Sequence, residues 1–236
     1  MIKIGCISDL HGRIDGYTST YRGIEFLIIA GDICPTDNVR DQEVWLKESI
    51  NKFINKDIFP DLQELIIVPG NHDFWLEKNY ENFLAIRKIF GYDFSTTVLV
   101  DQGKEFVSFL SGESVYIYGN PRTSLYTFAF PHLSGNEDIS KISKCDILVT
   151  HEAPRVFELP CIKNSQGAYG KNDEPGNLSL KLRLEEIKPK YHIFGHIHYP
   201  CSLLWNNINL INVSQYYREK YVPSINIIEW ENLTDT

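Results

Sequence analysis

The chain has 236 residues, of which 43% are hydrophobic and 23% are charged, values that are typical of a globular protein and exclude a largely disordered one. The 31 acidic residues exceed the 23 basic ones and give a formal net charge of −8, so the composition offers no basic surface for sequence-independent binding to nucleic acids or membranes. The sequence shows no secretory signal pattern, no apolar run long enough to span a membrane and no closely spaced pair among its five cysteines. We therefore expect a cytoplasmic protein with reduced cysteines, in which residues 1–236 form one domain without a separate cap domain.

The first part of the sequence alternates short strands with helices. Aliphatic runs that stop at Gly, Pro or Asp predict three buried strands, at residues 2–8, 25–30 and 65–68. Apolar residues at helical spacing predict helices over residues 39–54 and 76–90. The second helix would have Tyr80, Phe83 and Leu84 on one face. Because strands alternate with helices, we expect these strands to form a parallel sheet.

The pattern then changes to closely spaced β-runs, at residues 97–100, 105–110 and 115–118. Gly103 and Gly112 separate these runs and predict the hairpin turns of a β-meander.

The last third of the chain returns to buried strands and ends in a β-rich unit. Strands are predicted at residues 146–150 and 191–194, and the helix between them begins after Asn177 and ends near Ile187. A hairpin around Asn206 and Asn207 would join residues 201–205 to 208–213, and a final strand is expected over residues 222–230. This order of elements is accounted for by two sheets, each with helices available to cover an outer face.

Polar side chains follow five of the buried strands, at the point where each strand ends. These segments are Ser8-Asp9-Leu10-His11, Gly31-Asp32, Gly70-Asn71-His72-Asp73, His151 and Gly195-His196-Ile197-His198. In open α/β sheets the carboxyl ends of the strands share one edge, where the loops converge on a ligand site. We therefore expect these residues to meet although they are far apart in the sequence.

The residue types in these segments indicate a metal centre. Asp, Asn and His without Cys form a hard-to-borderline ligand set that suits Mn, Fe or Zn in a catalytic site. Seven candidate ligands are too many for one four-coordinate ion and about right for two ions that share a carboxylate, an arrangement suited to phosphoryl displacement.

The ordered motifs D-x-H, G-D, G-N-H-D, a strand-end His and G-H-x-H resemble the calcineurin-like metallophosphoesterase superfamily over residues 9 to 198. The resemblance implies an α/β fold in which two mixed sheets flanked by helices form a four-layer αββα sandwich. Segments 118–123, 128–130 and 149–154 further resemble the branch of class III cyclic nucleotide phosphodiesterases and brain metallophosphoesterase-domain proteins.

The resemblance also implies a role for each site residue. One metal would be held by Asp9, His11, Asp32 and His198, and a second by Asp32, Asn71, His151 and His196. A water shared by the two cations would supply the hydroxide nucleophile. His72 would be the general acid that protonates the leaving oxygen. Asp73 would either orient His72 or cap the helix that follows it.

The branch motif G-S-P-W-T-P is changed here at two positions that bear on the substrate. Asn120 stands in place of Ser, and Arg122 stands in place of Trp. Both are therefore candidate substrate-binding residues. The Arg122 guanidinium would bind a phosphate oxygen, or it would form an ordinary surface salt bridge.

The loop of residues 161–177 begins at the predicted ligand edge, so Lys163, Tyr169 and Lys171 are candidates for substrate contact, although the composition is also that of a solvated loop. His132 and His192 match no motif and are expected to be hydrogen-bonded structural residues.

These observations favour a phosphodiesterase that acts on small, including cyclic, nucleotides. A protein Ser/Thr phosphatase and a nuclease of the same superfamily remain alternatives, the nuclease being disfavoured by the acidic charge balance. A third alternative, from a different functional class, is a protein-interaction scaffold built on this fold, although all the ligand positions are filled. The oligomeric state is open, with a homodimer as one option.

Overall fold

The structure is a computed structural model that describes residues 1–35, 37–91, 93–125, 127–133, 137–164, 175–217 and 220–231. The strands in these ranges are β1 (Ile2–Ile7), β2 (Ile24–Ala30), β3 (Glu64–Val68), β4 (Ser95–Val98), β5 (Gln102–Val107), β6 (Ser114–Asn120), β7 (Ile147–Thr150), β8 (Tyr191–Phe194), β9 (Cys201–Trp205), β10 (Ile208–Asn212), β11 (Tyr216–Tyr217), β12 (Lys220–Tyr221) and β13 (Asn226–Trp230).

The helices lie in the connections between strands, and most of them are short. They are α1 (Val39–Trp45), α2 (Asn51–Phe53), α3 (Phe74–Asn79), α4 (Phe83–Phe90), α5 (Glu137–Ser140), α6 (Pro160–Asn164) and α7 (Leu178–Ile187), and a π-helical turn over Leu46–Ile50 joins α1 to α2. The helix predicted over residues 39–54 is thereby confirmed as one continuous helical segment. Among the residues described, no helix combines the length and the apolar character needed to cross a membrane.

Two mixed sheets form the centre of the fold. The first has the strand order β13-β1-β2-β3-β4, in which β1 to β4 are parallel and β13 is antiparallel to β1. The second has the order β5-β6-β7-β8-β10-β9, in which β6, β7, β8 and β10 are parallel. The predicted parallel sheet is therefore confirmed, and it has a parallel counterpart in the second half of the chain.

Three apolar cores separate four layers. β2 shows how this happens, because all seven of its residues are buried. Its Phe26 and Ile28 face the second sheet, whereas Leu27 and Ile29 on the opposite face pack against the helices of the first half of the chain. A third core lies between the second sheet and α5 to α7. The predicted αββα sandwich is confirmed.

The predicted β-meander is wrong. β4 pairs parallel with β3 in the first sheet, whereas β5 and β6 form an antiparallel hairpin in the second. Gly103 lies within β5 and not in a turn, and a Cβ at this position would overlap the Tyr116 side chain on the neighbouring strand. Gly112 does lie in the hairpin turn, with a φ of +73°.

The predicted helix over residues 76–90 is divided into α3 and α4. The cause is Asn82, whose side chain accepts a hydrogen bond from the Ala85 N–H at 3.1 Å and starts a new helix. Phe83 and Leu84 therefore occupy the first turn of α4, where they are 61% and 75% exposed, and do not share a buried face with Tyr80.

In the last third of the chain the predicted elements agree more closely with the structure. Asn177 caps α7 by accepting from the Leu180 N–H, and Asn206 and Asn207 have φ values of +49° and +64° in the turn between β9 and β10. The final strand begins at Asn226, four residues later than predicted.

Candidate metal centre

Loops at the carboxyl ends of β1, β2, β3, β7 and β8 meet at one edge of the two sheets. The side chains that converge there are the seven predicted metal ligands. Each has a polar side-chain atom within 3.8 Å of one in another member of the set: Asp9, His11, Asp32, Asn71, His151, His196 and His198. The polar residues that follow the strands in the sequence thus form one cluster in space.

The backbone of these loops is unusual, because four of the seven residues have positive φ. The values are +56° for Asp9, +43° for His11, +54° for Asp32 and +66° for His196. Side chains other than Gly adopt this region at an energetic cost, and such residues concentrate at functional sites. Inter-loop hydrogen bonds oppose that cost, including those from the Asp9 N–H to the Gly31 carbonyl and from the His11 N–H to the Asp32 carbonyl, both at 2.9 Å.

The glycines of the motifs leave room for the ligands. A Cβ on Gly31 would overlap the His151 ring, and one on Gly70 would overlap the Asp32 carboxylate. On Gly195 it would lie 2.6 Å from Asp9 Oδ2. Gly31 also has a φ of +91°, so two requirements favour glycine there.

The first group of ligands consists of Asp9, His11 and His198, whose ligand atoms lie within 4.8 Å of one another. The two Nε2 atoms of the histidines are 3.2 Å apart. Asp9 is buried, and its carboxylate accepts hydrogen bonds from the Ser8 hydroxyl at 2.6 Å and from the His196 N–H at 3.0 Å. Tyr216 stacks on His198 with a ring separation of 4.9 Å. The protein thus fixes the orientation of these ligands through their neighbours.

The second group is buried more deeply. Asp32 Oδ2 lies 3.2 Å from His151 Nε2, and Asn71 Oδ1 lies 3.0 Å from the same nitrogen and 2.9 Å from His196 Nδ1. His151 Nδ1 is 2.9 Å from the Ala30 carbonyl. Because a carbonyl only accepts, Nδ1 carries a proton. Nε2 faces the Asp32 and Asn71 oxygens, and its lone pair becomes available to a cation once the Nε2 proton has left.

Asp32 lies between the two groups. Its Oδ2 atom is 3.7 Å from His11 Nε2 in the first group as well as 3.2 Å from His151 Nε2 in the second. Burial by itself raises the pKa of Asp32 and lowers that of His151, but their mutual attraction reverses both effects. The pKa of Asp32 falls below its usual range, and that of His151 rises to about 10.

This donor set suits a divalent cation. Asp9, Asp32 and His151 form a further group whose ligand atoms lie within 4.8 Å of one another. Carboxylate oxygens, an amide oxygen and imidazole nitrogens converge here from different loops, and such a set fits Mn, Fe or Zn. A cation at this position would displace the His151 proton, so metal uptake and proton release would be coupled.

His72 lies at the border of this cluster and is oriented by a residue that the sequence analysis missed. Its Nδ1 is 2.5 Å from a carboxylate oxygen of Asp37, and its ring contacts those of His11 and Phe128 edge-on at 5.2 Å and 5.1 Å. The His72 N–H donates to Asp32 Oδ1 at 2.8 Å. Asp37 follows Asp32 by five residues in the same loop, which is the only indication that the sequence offers.

Asp73 occupies the N-cap position of α3, but its side chain neither caps that helix nor contacts the His72 ring. Its Oδ1 accepts from the Ile33 N–H at 2.9 Å and the Cys34 N–H at 3.1 Å, and its Oδ2 accepts from the Gly70 N–H at 2.8 Å. It makes no side-chain capping bond to α3. Burial raises its pKa to about 6. Asp73 therefore joins the loop after β2 to the loop after β3, and the His72 ring is oriented by Asp37 instead.

The two predicted substrate-binding residues are engaged within the protein. Arg122 donates to Asp101 through Nε at 2.7 Å and to the Pro131 carbonyl through Nη1 at 2.9 Å. The Asn120 amide nitrogen lies 3.1 Å from Asp101 Oδ1 and 3.3 Å from Asp138 Oδ2, and its oxygen accepts from the Arg122 N–H. Their polar groups thus organise the loop after β6. The salt-bridge alternative for Arg122 is the one that the structure shows.

The remaining candidates lie in or near the loop of residues 161–177. Lys163 is exposed at the end of α6, whereas Tyr169 and Lys171 lie outside the described residues.

His192 is buried, and its Nε2 is 2.9 Å from the Thr150 hydroxyl. His132 is hydrogen-bonded through both ring nitrogens. Both histidines are thus hydrogen-bonded structural residues, as predicted.

Comparison with known sequences gives a family match over most of the chain. The model of the calcineurin-like phosphoesterase family matches residues 2–200. A UPF0046 protein of Caenorhabditis elegans is 25% identical over 244 residues, which cover 95% of this chain and 80% of that protein. Metallophosphoesterase domain-containing protein 1 of Homo sapiens is 26% identical over 210 residues, covering 82% of this chain and 59% of that protein.

The length of the relatives varies. A probable rhamnogalacturonate lyase C of Emericella nidulans is 21% identical over 211 residues, which are 84% of this chain but 17% of that protein. The chain therefore spans only part of each of these curated relatives.

Solved structures share the fold at low sequence identity. Phosphopantetheinyl hydrolase from Mycobacterium tuberculosis superposes with a TM-score of 0.58 at 16% identity, covering 99% of this chain and 96% of that one. A putative 5′-nucleotidase from Staphylococcus aureus superposes with a TM-score of 0.50 at 14% identity, covering 92% of this chain and 48% of that one. At these identities the likeness concerns the fold alone.

Proposed function

Because the chain belongs to the calcineurin-like phosphoesterase family, we propose that it is a binuclear-metal-dependent phosphodiesterase that acts on small nucleotides, cyclic nucleotides included. Family membership supports the reaction class, which is metal-dependent hydrolysis of a phosphoric ester. The observation that carries the two-metal proposal is the position of Asp32 Oδ2, within 3.7 Å of a histidine of each ligand group. A carboxylate shared in this way is the arrangement of two-metal sites.

In this proposal Asp9, His11, Asp32 and His198 hold one ion, and Asp32, Asn71, His151 and His196 hold the other. Two divalent ions would lower the pKa of a shared water toward neutrality and stabilise negative charge on the phosphoryl oxygens. The protein supplies the orientation of the ligands. The Ala30 carbonyl selects the His151 tautomer, and the Ser8 hydroxyl and the His196 N–H fix the Asp9 carboxylate.

His72 is the proposed general acid. The Asp37 carboxylate accepts the Nδ1 proton, so Nε2 is the nitrogen that can give a proton to the leaving oxygen. The backbone N–H of His72 donates to Asp32, so the proposed general acid is hydrogen-bonded to the proposed bridging ligand. Asp37 therefore orients His72, and Asp73 connects the loop after β2 to the loop after β3.

The preference for diesters over monoesters is the finer part of the proposal, since one structural neighbour is a putative 5′-nucleotidase. A substrate panel tests it. The Mn-loaded protein is to be assayed on bis-4-nitrophenyl phosphate, 4-nitrophenyl phosphate, 3′,5′-cyclic and 2′,3′-cyclic nucleotides, a phosphopeptide and single-stranded DNA. We expect the small diesters to give the highest kcat/KM.

Each alternative predicts a different outcome of the same panel. A protein phosphatase would favour the phosphopeptide, a nuclease would favour DNA, and a scaffold would turn over none of the substrates. Faster turnover of nitrophenyl phosphate than of its bis-ester would replace the diester preference with a monoester one.

Three further expectations remain part of this proposal. A single domain over residues 1–236 is supported by the inter-sheet core, to which residues from Ile2 to Trp230 contribute. A cytoplasmic location is supported by five free cysteines. A homodimer is one option for the oligomeric state, which sedimentation of the metal-loaded protein would measure.

A further inference from the structure

A buried ionic network lies behind the loop that follows β6. His132 is 7% exposed, and its Nδ1 lies 2.7 Å from Asp138 while its Nε2 lies 2.8 Å from Glu152. A neutral imidazole has one N–H to donate, whereas an imidazolium can donate to both carboxylates. Although burial lowers the pKa of His132, the hydrogen bonds to Asp138 and Glu152 raise it to about 9. None of these three residues is among the candidate metal ligands.

The network ties down both ends of the 121–133 segment, of which the structure describes residues 121–125 and 127–133. Near its start, the Ser124 N–H and hydroxyl donate to Glu152 at 3.1 Å and 2.7 Å. Near its end, His132 contacts the same glutamate and donates its own N–H to the Thr123 carbonyl at 3.0 Å. Glu152 directly follows the ligand His151 in the chain, so the segment is anchored beside the second ligand group.

The middle of the same segment lies against the proposed general acid. The Ala129 N–H donates to the Asn71 carbonyl at 3.0 Å, and the Phe130 N–H donates to Glu77 at 2.8 Å. The Phe128 ring contacts the His72 ring edge-on, with centroids 5.1 Å apart and planes at 67°. A ring at this distance and angle limits rotation of the imidazole.

We propose that His132 is a positioning residue for His72 and that it acts through the 121–133 segment and Phe128. The inference rests on the proposed function, because it concerns the general acid of that reaction. The His132 charge compensates two buried carboxylates, which otherwise repel and draw in water. Loss of this charge releases both anchored ends of the segment and, with them, the Phe128 contact that holds the His72 ring.

The test compares two esters that differ only in the leaving group, thymidine 5′-(4-nitrophenyl) phosphate and thymidine 5′-phenyl phosphate. Phenolate is the more basic leaving group and depends more on a general acid. His132→Gln and Phe128→Ala should each lower kcat on the phenyl ester about tenfold more than on the nitrophenyl ester. The double variant should lose little more than either single one, because both act on one contact. Phe83→Ala, which removes a ring that is 61% exposed on α4, is the control and should show no such bias.

A second readout does not depend on turnover. Diethyl pyrocarbonate modifies accessible histidines, and peptide mass spectrometry gives the rate for His72 alone. This rate should rise several-fold in His132→Gln and in Phe128→Ala. If His132→Gln fails to fold, Ser124→Ala removes one hydroxyl donor to Glu152 and should show a smaller leaving-group bias in the same direction.

The outcomes separate the inference from the function on which it rests. Equal losses on the two esters, or an unchanged rate of His72 modification in His132→Gln, would overturn the positioning role while the phosphodiesterase activity stands. A wild-type protein that hydrolyses neither ester would overturn the proposed function, and the inference would fail with it.

Discussion

At the scale of single residues, polar atoms at the site have specific hydrogen-bond partners within the protein. Nδ1 of His151, both oxygens of Asp9 and both oxygens of Asp73 each have a specific partner in the protein. Groups with fixed partners lose little further entropy when a cation or a substrate binds. The contributions of individual side chains can therefore be tested one at a time.

The Asp32 carboxylate is the first such test. Asp32→Asn should lose both ions and nearly all activity, because a neutral amide cannot balance two cations about 3.5–4 Å apart. His198→Ala should mainly weaken the binding of one ion, since this ring belongs to the first group only. Metal analysis after gel filtration measures both. Two tightly held ions per chain in Asp32→Asn would show that another residue forms the bridge.

Asp37 and His72 form the second test. His72→Ala should keep both metals and lose about 10²–10⁴-fold in kcat on a phenyl or ribose leaving group, but much less on a nitrophenyl ester. Asp37→Asn should show the same bias at reduced size, since it removes the negative charge that faces the Nδ1 proton and leaves the ring in place. Loss of a metal ion from His72→Ala would make this residue a ligand. An Asp37→Asn variant with wild-type kinetics on both esters would remove Asp37 from the reaction.

The pKa of His132 gives a stability prediction with a definite sign. Its raised folded-state pKa of about 9, against 6.5 for the unfolded chain, means that the folded state holds the proton more tightly. The stabilisation is fully present below about pH 6.5 and is lost as the pH rises to about 9, with an upper limit of roughly 3 kcal/mol. Urea unfolding from pH 6 to pH 9 should therefore show falling stability in the wild type and a flatter profile in His132→Gln. Parallel profiles would mean that His132 is not protonated in the fold.

At the scale of elements, helix starts determine where side chains face. Asn82 and Asn177 each cap a helix, but only Asn177 also donates to a buried carboxylate, Glu152, at 2.7 Å. The same residue type therefore serves an isolated helix start in one place and the anchor of an ionic network in the other.

This difference can be measured by replacing each cap with alanine. Asn82→Ala should destabilise the protein by about 1 kcal/mol, the usual cost of a lost N-cap. Asn177→Ala should cost about 1–3 kcal/mol more, because Glu152 loses a buried donor as well. Equal changes in the free energy of unfolding would indicate that the Asn177–Glu152 contact contributes nothing to stability.

At the scale of the whole molecule, the candidate metal centre draws its side chains from both sheets. Asp9, Asp32 and Asn71 follow strands of the first sheet, whereas His151, His196 and His198 follow strands of the second. Bound ions would cross-link the two halves of the sandwich. Ligands that bind only the folded state stabilise it by mass action.

Removal of the ions should consequently affect the entire fold. Chelation with EDTA should lower the apparent Tm of the metal-loaded wild type by several degrees. A free ion concentration of about 100 times the Kd stabilises the folded state by about 2.7 kcal/mol, and chelation removes this contribution. Asp32→Asn serves as the matched control and should show no response to the chelator. A wild-type Tm that does not respond to EDTA would mean that the ions contribute nothing to folding stability.

The features that sequence can predict are those that depend on local order. The candidate ligands follow strand ends directly, so residue type and position predict that Asp9, Asn71 and His151 lie together at one edge of the sheets. The Asn206-Asn207 turn and the Asn177 cap are equally local. Sequence could not predict that β4 and β5 enter different sheets, because a short β-run does not indicate which strand it pairs with.

Contacts between loops were beyond reach for the same reason. The partner of Arg122 is Asp101, 21 residues away, and the partner of His72 is Asp37, 35 residues away. Neither distance corresponds to a helix or strand period, so no pattern in the sequence connects the members of these pairs. The side chain of Asp73 bonds to backbone N–H groups instead of to His72, because adjacency in the chain does not imply contact between side chains.

The distribution of the ligands along the chain bears on biosynthesis. The first candidate ligand is residue 9 and the last is residue 198, and the second sheet, whose strands precede His151, His196 and His198, is completed by the hairpin of β9 and β10. A nascent polypeptide on the ribosome therefore has five of the seven ligands from residue 151 onward but cannot complete either proposed ion site until residues 196 and 198 have emerged from the exit tunnel. Ion capture would thus be a late event in the life of each molecule, and a prematurely terminated chain would lack a complete candidate centre.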